Sequence, residues 1–158
     1  MFRKHPLIVT ALGVLALDQA SKWAVLYLLR LDYYESFDIL PPWLVFRLAW
    51  NQGVNFGLMS DGSTLIRWLF ILGAVAISVW VWIWIRRENH GFWAQIAAGF
   101  LIGGALANVI DRLIYGAVED FLNMSCCGIE NPYSFNLADV GVFLGAVGLM
   151  LTAGRAPK

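Results

Sequence analysis

Histidine is nearly missing from this chain: 158 residues contain only His5 and His90, far apart. No His-Glu-x-x-His motif and no His/Cys cluster with zinc-ligand spacing occurs, so no metal site is expected. A Ser–His hydrolase is excluded on the same ground, and no Gly-x-Ser-x-Gly elbow is present. No glycine-rich loop runs into Lys-Ser or Lys-Thr to cradle a phosphate. Cysteine is equally scarce. Cys126 and Cys127 are neighbours, and a bridge between neighbours is strained, so an ordinary disulfide framework is not expected. Free thiols and an intermolecular bond both stay open for them.

Charge is the next shortage. Only 14% of residues are charged, where a soluble domain has about 25%. Eleven Lys plus Arg balance eleven Asp plus Glu, which leaves no field to attract nucleic acid. Hydrophobic residues make up 59% of the chain instead. They form four apolar runs, at residues 7–29, 65–85, 92–114 and 137–153. The first three are long enough to span a bilayer core of roughly 30 Å, and the fourth is nearly so. The fold class expected is therefore an all-α membrane protein of four transmembrane helices, one domain over residues 1–158. Its connecting loops are 30–64 and 115–136. Residues 3–17 also resemble the start of a cleavable signal peptide, but the apolar run resumes after Lys22, so the first helix is expected to be retained.

Lys and Arg set the orientation. Arg3, Lys4, Arg86, Arg87, Arg155 and Lys158 cluster on one side, while the two long loops carry most acids, among them Asp32, Glu35, Asp38, Asp61, Glu119 and Glu130. Both termini are then cytoplasmic and both long loops face outward. In the first loop, Pro41-Pro42 is followed by residues 43–50, rich in strand formers, then by a turn at Asn51-Gln52-Gly53 and a second strand through 54–57. A small extracytoplasmic sheet between the first two helices is expected from this pattern.

Carboxylates are the chemistry that remains. Asp120 follows the third helix and Asp139 opens the fourth, so neighbouring helices bring two carboxyls to one membrane face. Charged groups at membrane depth are costly and usually functional. Two close carboxyls share a proton and supply a general base and a general acid together. Read singly, Asp120 is a solvated loop acid and Asp139 a helix N-terminal acid. Asn108, Asp111 and Arg112 crowd the outer end of the third helix beside the small-residue stripe Gly99, Gly103, Gly104 and Ala107. Asp18 and Lys22 are one turn apart on the first helix, spaced to form an ion pair that either neutralises itself or braces a deeper site.

Five blocks occur in order at helix ends: Asp18-Gln19-x-x-Lys22, Asn51-x-Gly53-x-x-Phe56-Gly57, Gly103-Gly104-x-x-x-Asn108-x-x-Asp111-Arg112, Val118-x-Asp120-Phe121 and Phe135-Asn136-x-Ala138-Asp139. On these blocks the chain resembles the bacterial lipoprotein signal peptidases (signal peptidase II) over essentially its full length. The resemblance implies an aspartyl endopeptidase of the cell inner membrane that cuts diacylglyceryl-modified prolipoproteins before the lipidated cysteine. It implies that Asp120 and Asp139 are catalytic, and that Asn51, Gly104, Asn108, Arg112, Asn136 and Ala138 surround substrate and dyad. It implies prolipoprotein substrates and membrane lipids as partners and no metal or organic cofactor, and it leaves the oligomeric state open. Asn55 and Cys126-Cys127 depart from the pattern without touching the dyad. From the residues alone, a proton-coupled four-helix exporter and a non-catalytic scaffold built on the third helix are the alternative readings.

Overall fold

Pro6 opens helix α1 (Pro6–Trp23) at a position where its missing N–H has no intrahelical partner to lose. In the computed structural model, which describes residues 5–53, 64–88 and 90–152, the chain then runs through a single π turn, Ala24–Leu28. A short helix α2 (Leu31–Tyr34), strands β1 (Ser36–Leu40) and β2 (Leu44–Asn51), and helices α3 (Thr64–Arg87) and α4 (Phe92–Tyr115) follow. Strand β3 (Val118–Asn123) and helix α5 (Leu137–Thr152) complete the order. The first apolar run, expected as one regular helix, is thus interrupted at Ala24, where the ladder widens by one residue. The strand expected over residues 54–57 and the charged groups Arg3, Lys4, Asp61, Arg155 and Lys158 lie outside the described residues.

Glycine sets how the helices meet. A Cβ on Gly103 would stand 2.9 Å from the Cα of Ala11 on α1. One on Gly104 would run into the carbonyl oxygen of Ala138 on α5. Helix α4 is therefore seated backbone to backbone against α1 on one side and α5 on the other, the close approach that small residues permit. Helix α3 packs on α4 as well. One apolar core gathers Leu7, Val81, Ile85, Ala98, Ile102 and Leu149 at the end where α1 begins. A second joins Val25, Leu31 and Phe121 beneath the sheet, with the Phe46 and Phe121 rings edge to face at 5.5 Å.

The outer surface of the bundle is apolar: Leu17, Leu72, Trp80, Phe143 and Met150 are all exposed. Three helical spans are long and apolar enough to cross a membrane, Pro6–Leu28, Thr64–Arg87 and Phe92–Tyr115. Helix α5 is apolar but has 16 residues, about 24 Å of rise, so of the four spans expected three meet the criterion by length. A chain with this surface and these helices is an integral membrane protein.

The three strands form one antiparallel sheet in the order β1-β2-β3. Strand β2 lies within one residue of its expected position. The reading of residues 115–136 as loop is corrected, because β3 pairs with β2 and places Ala49 opposite Asp120 and Asn51 opposite Val118. Residues Val118–Phe121 are all buried, so the alternation that marks a half-exposed strand is absent there. Gly116 makes the connection: with φ 79° it ends α4, its N–H bonding the Arg112 carbonyl, and turns the chain straight into β3.

Candidate active site

Helix α5 starts with a reciprocal cap. The Asp139 backbone N–H donates to Asn136 Oδ1 at 2.9 Å, and the Asn136 N–H donates to Asp139 Oδ2 at 3.3 Å. Two backbone donors that the helix cannot satisfy are bonded in this way, and the Asp139 carboxylate sits where the helix dipole favours it. The Asn136 amide nitrogen is left free to reach across to the sheet. It donates to Asp120 Oδ1 at 2.6 Å and to Asn108 Oδ1 at 3.2 Å. Asn108 in turn donates its Nδ2 to Asp139 Oδ1 at 2.8 Å, which closes a ring of Asn136, Asn108 and Asp139 to which Asp120 is tied by Asn136. The other Asp120 oxygen accepts from Asn51 Nδ2 at 3.0 Å, while Asn51 Oδ1 receives the Gly53 N–H at 2.9 Å. Two carboxyls from β3 and α5 are thus held by three asparagines from β2, α4 and the α5 cap.

Asp120 is 2% exposed and Asn136 is fully buried. Burial pushes the Asp120 carboxyl up to about 6; the Asn51 and Asn136 hydrogen bonds oppose that rise and the neighbouring Asp139 charge adds to it. A carboxyl that titrates there can hold or release a proton close to neutrality, as acid–base chemistry requires. The sign of one consequence is fixed. Asn51 favours the ionised form, so Asn51→Ala should move the Asp120 titration to higher pH. The limb of the kcat/KM profile that Asp120 controls, expected near pH 6, should move up with it. A pH–rate profile of the variant checks this, and an unmoved or downward-shifted limb would contradict the assignment.

Arg112 borders the ring. Its Nη1 donates to the Asn108 carbonyl at 3.2 Å, and its guanidinium lies 4.9 Å over the Phe70 ring. Its Nε is buried and has no hydrogen-bond partner among the described residues. Asp139 and Asp120 stand close enough to act on its charge.

A second polar cluster backs the first. Lys22 Nζ lies 2.6 Å from Asp18 Oδ2 and 2.6 Å from Asp111 Oδ2, and Gln19 donates to Asp111 Oδ1 at 2.8 Å. The expected Asp18–Lys22 pair is therefore present, and it is also a brace: Asp18 Oδ1 accepts the Ala138 N–H at 2.8 Å, one residue before Asp139. Asp111 faces α1 while Asn108, three residues earlier, faces α5. The two share a helix end and serve different clusters.

All the predicted site residues are placed in these contacts: Asn108, Asn136 and Asp139 in the ring, Asp120 and Asn51 tied to it through Asn136, Arg112 beside it, Asp18, Lys22 and Asp111 in the brace. Gly104 and Ala138 form the backbone contact between α4 and α5. Sequence reasoning assigned no role to Glu119, which is buried on the opposite face of β3 from Asp120; strand alternation would have separated the two acids. The cysteines are a correction. Cys126 and Cys127 are joined to each other, with Cys127 at φ 61°, and are neither free thiols nor an intermolecular bond. Among the described residues no group of three or more His, Cys, Asp or Glu is placed to hold a metal ion.

Residues 10–154 match the family model described as signal peptidase (SPase) II. The chain is 38% identical to a lipoprotein signal peptidase of Methylorubrum extorquens over 152 residues, covering 96% of this chain and 87% of that one. A lipoprotein signal peptidase of Pseudomonas aeruginosa is 34% identical over 158 residues, 99% of this chain and 92% of its own length. Among solved structures, one described as a bacterial membrane enzyme, determined in meso at 1.9 Å, superposes with a TM-score of 0.78 at 25% identity. It covers 92% of this chain and 90% of that one.

Proposed function

Because this chain belongs to the signal peptidase II family, we propose that it is an aspartyl endopeptidase working by an Asp120–Asp139 dyad. It removes signal peptides from prolipoproteins, cutting before a cysteine that carries a diacylglyceryl group. The observation that carries this reading is the joining of the two carboxyls, one from β3 and one from α5, through the side-chain amides of Asn136 and Asn108.

Peptide hydrolysis needs a base to take a proton from water and an acid to give one to the leaving amine. A pair of carboxyls holding one proton supplies both, and neither aspartate is assigned a fixed role. Ionised Asp120 or Asp139 draws the proton from water as its oxygen attacks the scissile carbonyl. The other, protonated, passes its proton to the departing nitrogen as the C–N bond breaks. Asn51, Asn108 and Asn136 fix the carboxyl planes before substrate arrives, which removes reorganisation from the chemical step. Arg112, with a buried donor unused, polarises or positions the substrate backbone.

The whole chain, residues 1–158, acts as one domain with four spans, α5 crossing with the help of its flanking residues. Arg86 and Arg87 end α3 on the side away from the sheet, so the positive-inside rule puts both termini in the cytoplasm and the sheet and dyad at the outer face of the inner membrane. Acyl chains then stay in lipid while the scissile bond meets the dyad at the interface. The purified chain in liposomes should cleave a diacylglyceryl-modified precursor and leave the unmodified precursor intact; no cleavage of the modified form overturns the function. A reporter fused after residue 158 should be active only in its cytoplasmic form. Activity only on the outer side would invert the topology and place the dyad on the wrong face.

A further inference from the structure

Behind β3, on the face away from the dyad, a cavity of about 240 Å³ lies between the outer ends of α1 and α4. Its floor is Lys22, Asp111 and Glu119, and its mouth carries Trp23, Tyr27 and Tyr115. The floor is almost closed to solvent, Glu119 being 1% exposed, whereas Trp23 and Tyr27 are more than half exposed on the apolar flank of the bundle. Glu119 Oε1 has no hydrogen-bond partner among the described residues. A buried carboxyl oxygen without a donor is costly, and a chain keeps one where something else supplies the donor.

The charge count says what is lacking. Asp18, Asp111 and Glu119 surround one ammonium, that of Lys22, which the first two already hold at 2.6 Å each. A further anion is therefore excluded and a cation with N–H donors fits. Aromatic walls suit an organic ammonium, whose charge ring faces attract, better than a strongly hydrated metal ion. The exposed Trp23 and Tyr27 put the mouth where aromatic side chains gather at a membrane–water boundary, level with lipid head groups.

We propose that this cavity is a binding site for the primary ammonium group of a membrane lipid head group, with Glu119 as its carboxylate partner. The proposal is independent of the peptidase reading. Without ligand, burial pushes Glu119 up to about 8; Lys22 opposes the rise, while Asp111, Asp18 and Asp120 add to it. Tyr27 and Tyr115 are the other titratable groups facing the cavity. Glu119 is thus mainly protonated at neutral pH. Ammonium binding favours the ionised form, so affinity rises about tenfold per pH unit below that value and levels above it, with one proton released per lipid.

The test uses the full chain in phosphatidylcholine nanodiscs, titrated with a short-chain phosphatidylethanolamine, a short-chain phosphatidylglycerol, or ethylammonium alone. Binding is followed by tryptophan fluorescence and by the infrared band of the protonated carboxyl. The expected result is saturable binding of the phosphatidylethanolamine only, loss of that band on binding, and tighter binding from pH 6 to pH 8. Glu119→Gln, which keeps the shape, should weaken binding tenfold or more and abolish the band change. Equal binding by the variant, an affinity independent of pH, or no saturable binding at all (a cavity that holds only water) would each overturn the proposal. Ethylammonium competing as well as the lipid would overturn the head-group assignment in favour of a free amine.

Discussion

Asp120→Asn and Asp139→Asn should each lower precursor cleavage by about 10⁴-fold or more, roughly 5.5 kcal/mol of transition-state stabilisation, in protein that still inserts and binds substrate. Asparagine keeps the size of each side chain, so packing survives, but with one acceptor oxygen it keeps only one of the two hydrogen bonds that each carboxylate accepts. What it cannot do is cycle a proton. The double variant should be no worse than either single one, because the two carboxyls act as one device and their losses do not add. Processing measured in membranes at equal expression decides the matter. Near-parental cleavage by either single variant would remove the aspartyl mechanism and require the catalytic groups to lie elsewhere in the chain.

Lys22→Met should cost about 3–5 kcal/mol of stability, because it strands two buried carboxylates that one ammonium had held. Asp18 and Asp111 are 0% and 1% exposed, so water cannot replace the lost partner without opening the bundle. Part of the damage should reach activity, since Asp18 Oδ1 also caps the Ala138 N–H beside Asp139. Combining Lys22→Met with Asp18→Asn and Asp111→Asn removes the stranded charge and should recover most of the stability. Unfolding in detergent micelles measures both variants. A loss under 1 kcal/mol for Lys22→Met alone would mean that the cluster is solvated and braces nothing.

Much of this was legible in the sequence for physical reasons. Apolar length reports a membrane span directly, so residues 65–85 and 92–114 were placed within two residues of α3 and α4. Scarcity of histidine left carboxylates as the only general acid–base pair, and Asp120 and Asp139 stood at adjacent helix ends. The strand that carries Asp120 was hidden, because Val118–Phe121 is buried throughout and two acids in a row disguise a strand pattern. The cross-chain partners were hidden as well. Spacing shows that Asp18 faces Lys22 one turn away, but not that Asp111, 89 residues from Lys22, completes the cluster. Nor does spacing reveal the three-way use of Asn136, which depends on how the bundle and the sheet dock.

That use of Asn136 bears on how resistance to an inhibitor of this enzyme could arise. Its oxygen starts helix α5 and its nitrogen holds Asp120 and Asn108. Few other side chains offer an acceptor and a donor at those two places; aspartate lacks the donor, and glutamine is longer by one methylene. A compound anchored on this amide would meet a residue that cannot be exchanged without undoing both the helix start and the catalytic pair. Escape by substitution would have to come from side chains around the site that carry no such double duty.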